Sequence, residues 1–284
     1  MITSQPNTQA SPYCFCTLAL GNNYRNLALQ LAQDLAQYAP SVSLVVLTDR
    51  PAAFADCPQV LAFAHQQQSL GCYHDKQFVL KQALSLFPAC VFVDADMRIL
   101  APIPADLTWQ PGITAKLVWT NILKHNKNPF ELRLLQQMAQ KLDLDLAEIS
   151  FVHECLFVLA RDQGKELVFL EQWEKIARYF ELRGFCRGEG HTIGLAAAQA
   201  GLTIRRDELT AIHFFKDKLA ASATSSATDL EQRVELLKRQ KALEYPKQSL
   251  WQRVWNKLLK LLRYQYRRLK LQFAALKQID FYYR

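Results

Sequence analysis

The chain contains no run of 18 or more apolar residues, so nothing in it reads as a membrane-spanning helix. It has no C-x-x-C pair. Its cysteines are odd in number and scattered: Cys14, Cys16, Cys57, Cys72, Cys90, Cys155 and Cys186. Such a set argues against a disulfide framework, and Cys14-x-Cys16 sits in an apolar run where core packing is the simpler role. A reducing, cytoplasmic setting is expected. Met1 to Pro12 is polar and lacks a signal-peptide pattern. Glycine is scarce, nine in 284 residues, so the turn Gly21-Asn22-Asn23-Tyr24-Arg25 after the first apolar run is not a Gly-rich, basic phosphate loop. No internal repeat is present.

Acidic residues are nearly missing from the C-terminus. Residues 247–284 carry ten of the 34 Lys and Arg and one acid, Asp280. The first 246 residues hold 24 bases and 25 acids, so the net charge of +8 belongs to the tail. Half of the residues are hydrophobic, enough for one sizeable α/β core plus an appendage.

Apolar runs at Tyr13–Leu20, Ser43–Thr48 and Val60–Ala64 read as strands, with a helix over Tyr24–Tyr38 between the first two. Asp75 is placed as the N-cap of a helix covering Lys76–Phe87, which Pro88 closes. Beyond this, Ile113–Trp119 and Phe151–Leu159 read as strands, and Glu131–Lys141 and Glu166–Glu181 as helices. Gly188-Glu189-Gly190-His191-Thr192 opens an Ala-rich helix that ends near Ala200, with Gly201 as its cap. A short strand at Leu202–Arg205 precedes Ile212–Phe215. Alternating strands and helices at this spacing argue a parallel sheet with crossover helices. Ala220–Thr228 is small, polar and unpatterned, and reads as a linker. Asp229–Leu243 and Leu250–Leu276 then read as helical.

The segment Val91-Phe92-Val93-Asp94-Ala95-Asp96-Met97-Arg98-Ile99 stands out. A buried strand runs into two carboxylates spaced i, i+2, which an extended chain presents on one side. The carboxyl end of a strand is where open α/β sheets place ligands. Two acids there can grip one hard divalent cation, and a metal so held would neutralise phosphate oxygens. The alternative is a pair of ordinary loop acids.

With these pieces assembled, the chain resembles the nucleotide-sugar glycosyltransferases of the GT-A fold, in their glycogenin-like and galactosyltransferase-like group. The resemblance is carried by CFCTLALGNNYRNLAL, VVLTD, KQFVLKQALSLFPACVFVDADMRIL, GEGHTIGLAAAQAG and IHFFKDK, spread over residues 13–218. It implies a three-layer α/β/α domain with a mostly parallel mixed sheet at residues 1–219, and a helical, basic extension at 220–284. It implies Mn²⁺ or Mg²⁺ as cofactor, a nucleotide-sugar donor, and a saccharide or glycolipid acceptor. Asp94, Asp96 and His213 would hold the metal, although the Gly that usually follows such a His is missing. His213 reads equally as a core histidine on an apolar strand. Lys216 and Lys218 would supply bases to the phosphates. Tyr24 and Asp49 would border the nucleotide, with helix-start packing and a turn acid as their alternatives. Lys76 and Lys81 are five residues apart and point about 140° from each other on a helix. One of them at most enters the site, and Lys76 is the choice. Glu189 would serve the acceptor hydroxyl as base or positioning group, with Asp94 beside it. Its alternative is a helix-start acid favoured by the dipole. His191 reads as a polar helix-start neighbour.

The tail helix places Trp251, Val254, Trp255, Leu258, Leu261, Leu262, Leu269, Phe273 and Leu276 on one face. Arg253, Lys257, Lys260, Arg267 and Arg268 lie opposite. This suits the surface of an anionic bilayer, on the inner face of a membrane for a cytoplasmic protein. The alternative is a helix packed on the domain. Nucleic acid is not expected, since the rest of the chain is nearly neutral. Two further readings stay open: a nucleotidyltransferase, which the single Gly after the first strand fits poorly, and a non-catalytic membrane-surface protein with an idle donor site.

Overall fold

The computed structural model describes residues 11–216 and 227–283. Lys218 and most of the expected Ala220–Thr228 linker lie outside the described residues. Strand β1 (Tyr13–Ala19) leads into α1 (Gly21–Tyr38), β2 (Leu44–Thr48) and β3 (Val60–Ala64). Helix α2 (Lys76–Leu86) precedes β4 (Ala89–Val93) and the short β5 (Arg98–Ile99). Then come β6 (Gly112–Ala115), β7 (Val118–Trp119), α3 (Ile122–His125) and α4 (Pro129–Leu142). Strands β8 (Phe151–Val152) and β9 (Leu156–Ala160) are followed by α5 (Lys165–Leu182) and α6 (Glu189–Ala200). Strands β10 (Ile204–Arg206) and β11 (Phe214–Phe215) end this part, and α7 (Ala227–Glu244), α8 (Leu250–Ala275) and α9 (Ile279–Tyr283) form the C-terminal part.

The main sheet has seven strands in the order β10-β6-β9-β4-β1-β2-β3. All neighbours are parallel except β9, which runs antiparallel to both β4 and β6. The class is α/β, with a mostly parallel mixed sheet between two helical layers. Alternation along the strands explains the layers. On β1 and β4, Cys14, Cys16, Cys90 and Phe92 face α2, α5 and α6. Tyr13, Phe15, Val91 and Val93 face the other way, onto Leu27, Leu31 and Leu35 of α1. Burying each of those leucines is worth roughly 1.5–3 kcal/mol relative to exposure. No cysteine among the described residues is disulfide-bonded.

Three sequence expectations need correction. Ile113–Trp119 is not one strand: β6 pairs in the main sheet, while β7 pairs with β8 in a separate ribbon. Phe151–Leu159 likewise breaks into β8 and β9, with His153, Glu154 and Cys155 between them. Asp75 stands at the N-cap position of α2, but its side chain does not cap the helix. Its buried carboxylate accepts from the backbone N–H groups of Gln68 (2.8 Å) and Ser69 (2.7 Å) and pairs with His65 Nε2 at 2.7 Å, pinning the loop before α2.

The sheet order fixes where a ligand can sit. From β1 the chain runs outward through β2 and β3, then returns to β4 on the other side of β1. The crevice beyond the carboxyl ends of β1 and β4 is therefore a topological switch point. Gly21 opens α1 at one lip and Asp94 follows β4 at the other.

Candidate active site

Five charged side chains meet at this crevice. Asp94 leaves β4 with its backbone N–H donating to Cys155 O (3.0 Å), and its carbonyl accepts from Met97 N (3.0 Å), a tight turn that also presents Asp96. The turn is clamped to α1 by Asp34, which takes a bidentate pair from Arg98 (both 2.6 Å) and the N–H of Ile99 (3.1 Å). Lys76, at the start of α2, lies 2.9 Å from Asp94 Oδ1 and 3.3 Å from Glu189 Oε1. Its ammonium also donates to Glu154 O at 3.4 Å and stands 5.1 Å from the centre of the Phe92 ring. Lys216, just past β11, is 2.9 Å from Asp94 Oδ2 and also bonds Asp96 Oδ1.

Glu189 reaches the cluster because α6 starts hard against β8. A Cβ on Gly190 would collide with Val152 O and the Phe151 ring, and one on Gly194 with Ser150 O. The Glu189 carboxylate also accepts from the backbone N–H of Gly188 at 3.2 Å.

The electrostatics follow from burial. Desolvation raises the Asp94 carboxyl, but Lys216 and Lys76 more than offset it and hold it at about 2. Asp96 is raised by burial and by the Asp94 charge. Burial alone would lower Lys76 and Lys216, yet both are raised, Lys76 by Asp94 and Glu189 and Lys216 by the two aspartates. Glu154 is pushed up to about 7 by burial and then by Glu189. Three carboxylates, Asp94, Asp96 and Glu189, thus meet two ammoniums, a formal charge of −1 at neutral pH.

Tyr24 and Asp49 lie at the other lip. Asp49 accepts from Gly21 N (3.1 Å) and pairs with Arg25; burial would raise its carboxyl, but these bonds hold it low. The Tyr24 ring is 43% exposed and its hydroxyl bonds Glu244 Oε1 at 3.4 Å. Helix α7 closes that side: Asn23 Nδ2 donates to Glu244 O at 2.8 Å, and Gln240 Nε2 donates to Asp96 O.

Of the residues singled out from sequence, Asp94, Asp96, Lys76, Lys216 and Glu189 converge. Lys81 is exposed on α2. His213 does not join the acid pair. It is exposed, immediately before β11, with its backbone carbonyl bonded to Leu100 N at 2.8 Å. Among the described residues no three His, Cys, Asp or Glu groups are placed to share an ion. The described residues do not gather Asp94, Asp96 and His213 into one such group; antiparallel pairing of β11 with β5 brings Lys216 to the acids. His191 is buried against Phe151 (ring centroids 4.9 Å) and His125 (5.4 Å), and burial lowers it to about 4. Sequence reasoning missed Glu154 and Gln240. A polar His-Glu pair interrupting the apolar run FV-HE-CLFVL was the available signal for the first. Nothing local marks the second.

No protein-family model and no curated protein matches this chain. Among solved structures it is similar to the galactosyltransferase LgtC in complex with donor and acceptor sugar analogs. The identity is 9% and the TM-score 0.47, over 67% of this chain and 72% of that one. At that distance the likeness gives no residue of this chain a role.

Proposed function

We propose that the chain is a glycosyltransferase that moves a sugar from a nucleotide diphosphate donor to an acceptor hydroxyl. The observation that carries this reading is the acid–lysine cluster at the switch-point crevice, where strand ends, helix starts and a broken strand all converge. Asp94 and Asp96 are hard oxygen ligands, which suit Mn²⁺ or Mg²⁺. Two carboxylates suffice for such an ion when substrate phosphates complete its shell. When bound, the ion would neutralise charge on the departing diphosphate.

The chain's own residues do the remaining work. Lys76 is anchored on Asp94 and Glu189, so it holds these two carboxylates at the start of α2. Lys216, paired with Asp94 and Asp96, is the base that would address phosphate oxygens. Tyr24 and Asp49 flank the nucleotide end of the crevice. Glu189 faces the acceptor, either taking its proton or orienting it. Helix α7 covers one wall and limits water.

The exposed part of α8 adds a place of work. Trp251, Val254, Trp255, Leu261 and Leu262 are all exposed there, among Arg253, Lys257, Lys260 and Arg263. No helix of the described residues is long and apolar enough to cross a membrane. A basic, Trp-bearing helix instead suits an anionic bilayer surface, which would favour a glycolipid acceptor.

The test is a melting panel of nucleoside diphosphates with and without Mn²⁺, since ligand binding to the folded form raises the melting temperature. One diphosphate should stabilise strongly only with the metal, and its sugar ester should hydrolyse slowly. Stabilisation by a nucleoside triphosphate alone would point to nucleotidyl transfer. No response to any nucleotide would sink the proposal.

A further inference from the structure

The acid pair already holds a cation. One ammonium, Lys216 Nζ, bridges Asp94 Oδ2 (2.9 Å) and Asp96 Oδ1. A dication shared by those two carboxylates and this ammonium compete for the same oxygens. The two lysines of the site are not equivalent. Lys76 is held by Asp94, Glu189, the Glu154 carbonyl and the Phe92 ring, and its side chain is 9% exposed. Lys216 is more exposed, at 19%, and its two ion pairs among the described residues are to the acid pair itself. It also sits at the end of β11, where its backbone has left the strand.

Charge decides what happens next. The cluster carries a formal −1 with both lysines in place. A diphosphate entering alone would bring further negative charge into a partly buried, already negative site. A dication entering alone would have to displace Lys216 and leave that ammonium without its carboxylates. Entering together, the ion takes the acids while the phosphates receive the released ammonium.

We infer that Lys216 is an exchangeable internal counter-ion, which yields Asp94 and Asp96 to a divalent cation and transfers its own pairing to the donor diphosphate. The inference rests on the donor-site reading above. It makes metal and nucleotide each a weak ligand alone and a strong one in the presence of the other. The reciprocal coupling lies in the usual range of roughly 5–150-fold. A lysine suits the role because its ammonium is a compact charge on a flexible stem, with no fixed fork to satisfy.

The experiment is calorimetric titration of Mn²⁺ into the full chain and into Lys216→Gln, each without nucleotide and with saturating UDP, GDP, ADP or CDP. Lys216→Gln should bind Mn²⁺ alone at least ~5-fold more tightly than the parent, because the internal competitor is gone. The same variant should lose most of the nucleotide's enhancement of Mn²⁺ binding. Lys216→Arg keeps the ion pair and should bind Mn²⁺ alone no better than the parent, which covers the case of a poorly folded Gln variant. Mn²⁺ binding that Lys216→Gln leaves unchanged or weakens, in folded protein, overturns the exchange; so does tighter Mn²⁺ binding by Lys216→Arg. The donor reading fails separately: if no nucleoside diphosphate binds the parent even with Mn²⁺, that reading is lost, whatever Lys216→Gln does to the metal alone.

Discussion

The molecule has two basic regions that work in opposite ways. At the mouth of the sheet, Lys76 and Lys216 are largely buried and face named carboxylates. On α8, Arg253, Lys257, Lys260, Arg263, Arg268 and Lys270 are exposed. A buried charge costs several kcal/mol to desolvate and survives only beside specific partners, so each one matters individually. An exposed charge is screened and acts as part of a sum. The net charge of +8 therefore reports on the tail and is silent about the site, where two lysines are outnumbered by acids.

The largest effect on stability should come from Lys76. Lys76→Met strands Asp94 and Glu189 without an anchored cation, and breaking one side of a buried pair costs about 3–5 kcal/mol. Urea melts should show a loss near the lower end, because Asp94 keeps Lys216. Lys81→Met on the same helix should stay within about 0.5 kcal/mol, as exposed positions do. Equal losses from the two would erase the contrast between buried and exposed lysines.

Asp94 and Asp96 should separate next. Asp94 serves both lysines and Asp96 one. Asp94→Asn should destabilise the unliganded fold by about 1–3 kcal/mol, and Asp96→Asn by less, while both lose Mn²⁺-dependent nucleotide binding. Chemical melts beside metal titrations check both halves. A larger loss from Asp96→Asn would reverse the assigned division of labour.

Much of this was legible from sequence, and the misses share a cause. The strands β1 to β4, the long helices and the acid pair are local patterns of apolar runs and turn residues. Helix geometry let at most one of Lys76 and Lys81 enter the site, and the place of Lys76 at the helix start chose between them. What the pattern hid was pairing between distant segments. The segment Phe151–Leu159 reads as one strand from its apolar residues, and its His153-Glu154 pair does not say whether the chain leaves the sheet there to reach Asp94 N. Asp75 has the right type and place for a helix cap, but a loop it meets in space claims its oxygens. His213 and Lys216 lie three residues apart, and only the register of β11 against β5 decides which one serves the acids. The tail helix was readable, but which of its turns dock was not. Its late part docks, with Leu271, Ala275 and Tyr282 buried and Arg183 Nη2 donating to Tyr282 O at 2.8 Å; its first turns do not.

pH should reveal the buried acids against the exposed bases. Asp94 titrates at about 2 in the fold, below its ordinary 3.8. Its contribution is complete above pH 3.8 and is lost as pH falls through 2. Glu154 and Glu181 behave oppositely: burial raises each from 4.5 to about 7. Their contribution is complete below pH 4.5 and is lost as pH rises through 7. The melting temperature should therefore fall between pH 5 and pH 8. Glu154→Gln, which is neutral throughout, should flatten part of that fall. A melting temperature level across this window in the parent would remove both glutamates from the account.

The smallest effect on the fold should accompany the largest on location. Trp251 and Trp255 are 84% and 61% exposed on the undocked turns of α8. Replacing both by Glu should move stability by no more than about 0.5 kcal/mol each, since neither packs on the domain. The same change removes two interfacial anchors and sets two negative charges among bases, each worth about 1 kcal/mol near an anionic surface. Co-sedimentation with phosphatidylglycerol-containing vesicles should be lost, and binding by the parent should weaken as salt rises, because exposed charges are screened over about 8 Å at physiological ionic strength. Hydrolysis of a soluble nucleotide sugar should be unchanged, since every group assigned to the donor crevice is left in place. Truncation before Leu250 is a poorer test, because it also removes the buried Leu271, Ala275 and Tyr282 and so confuses docking with binding. If the double Glu variant still sediments with vesicles, or if the parent never does, the exposed bases of α8 have another use and the contrast between the two basic regions loses its functional half.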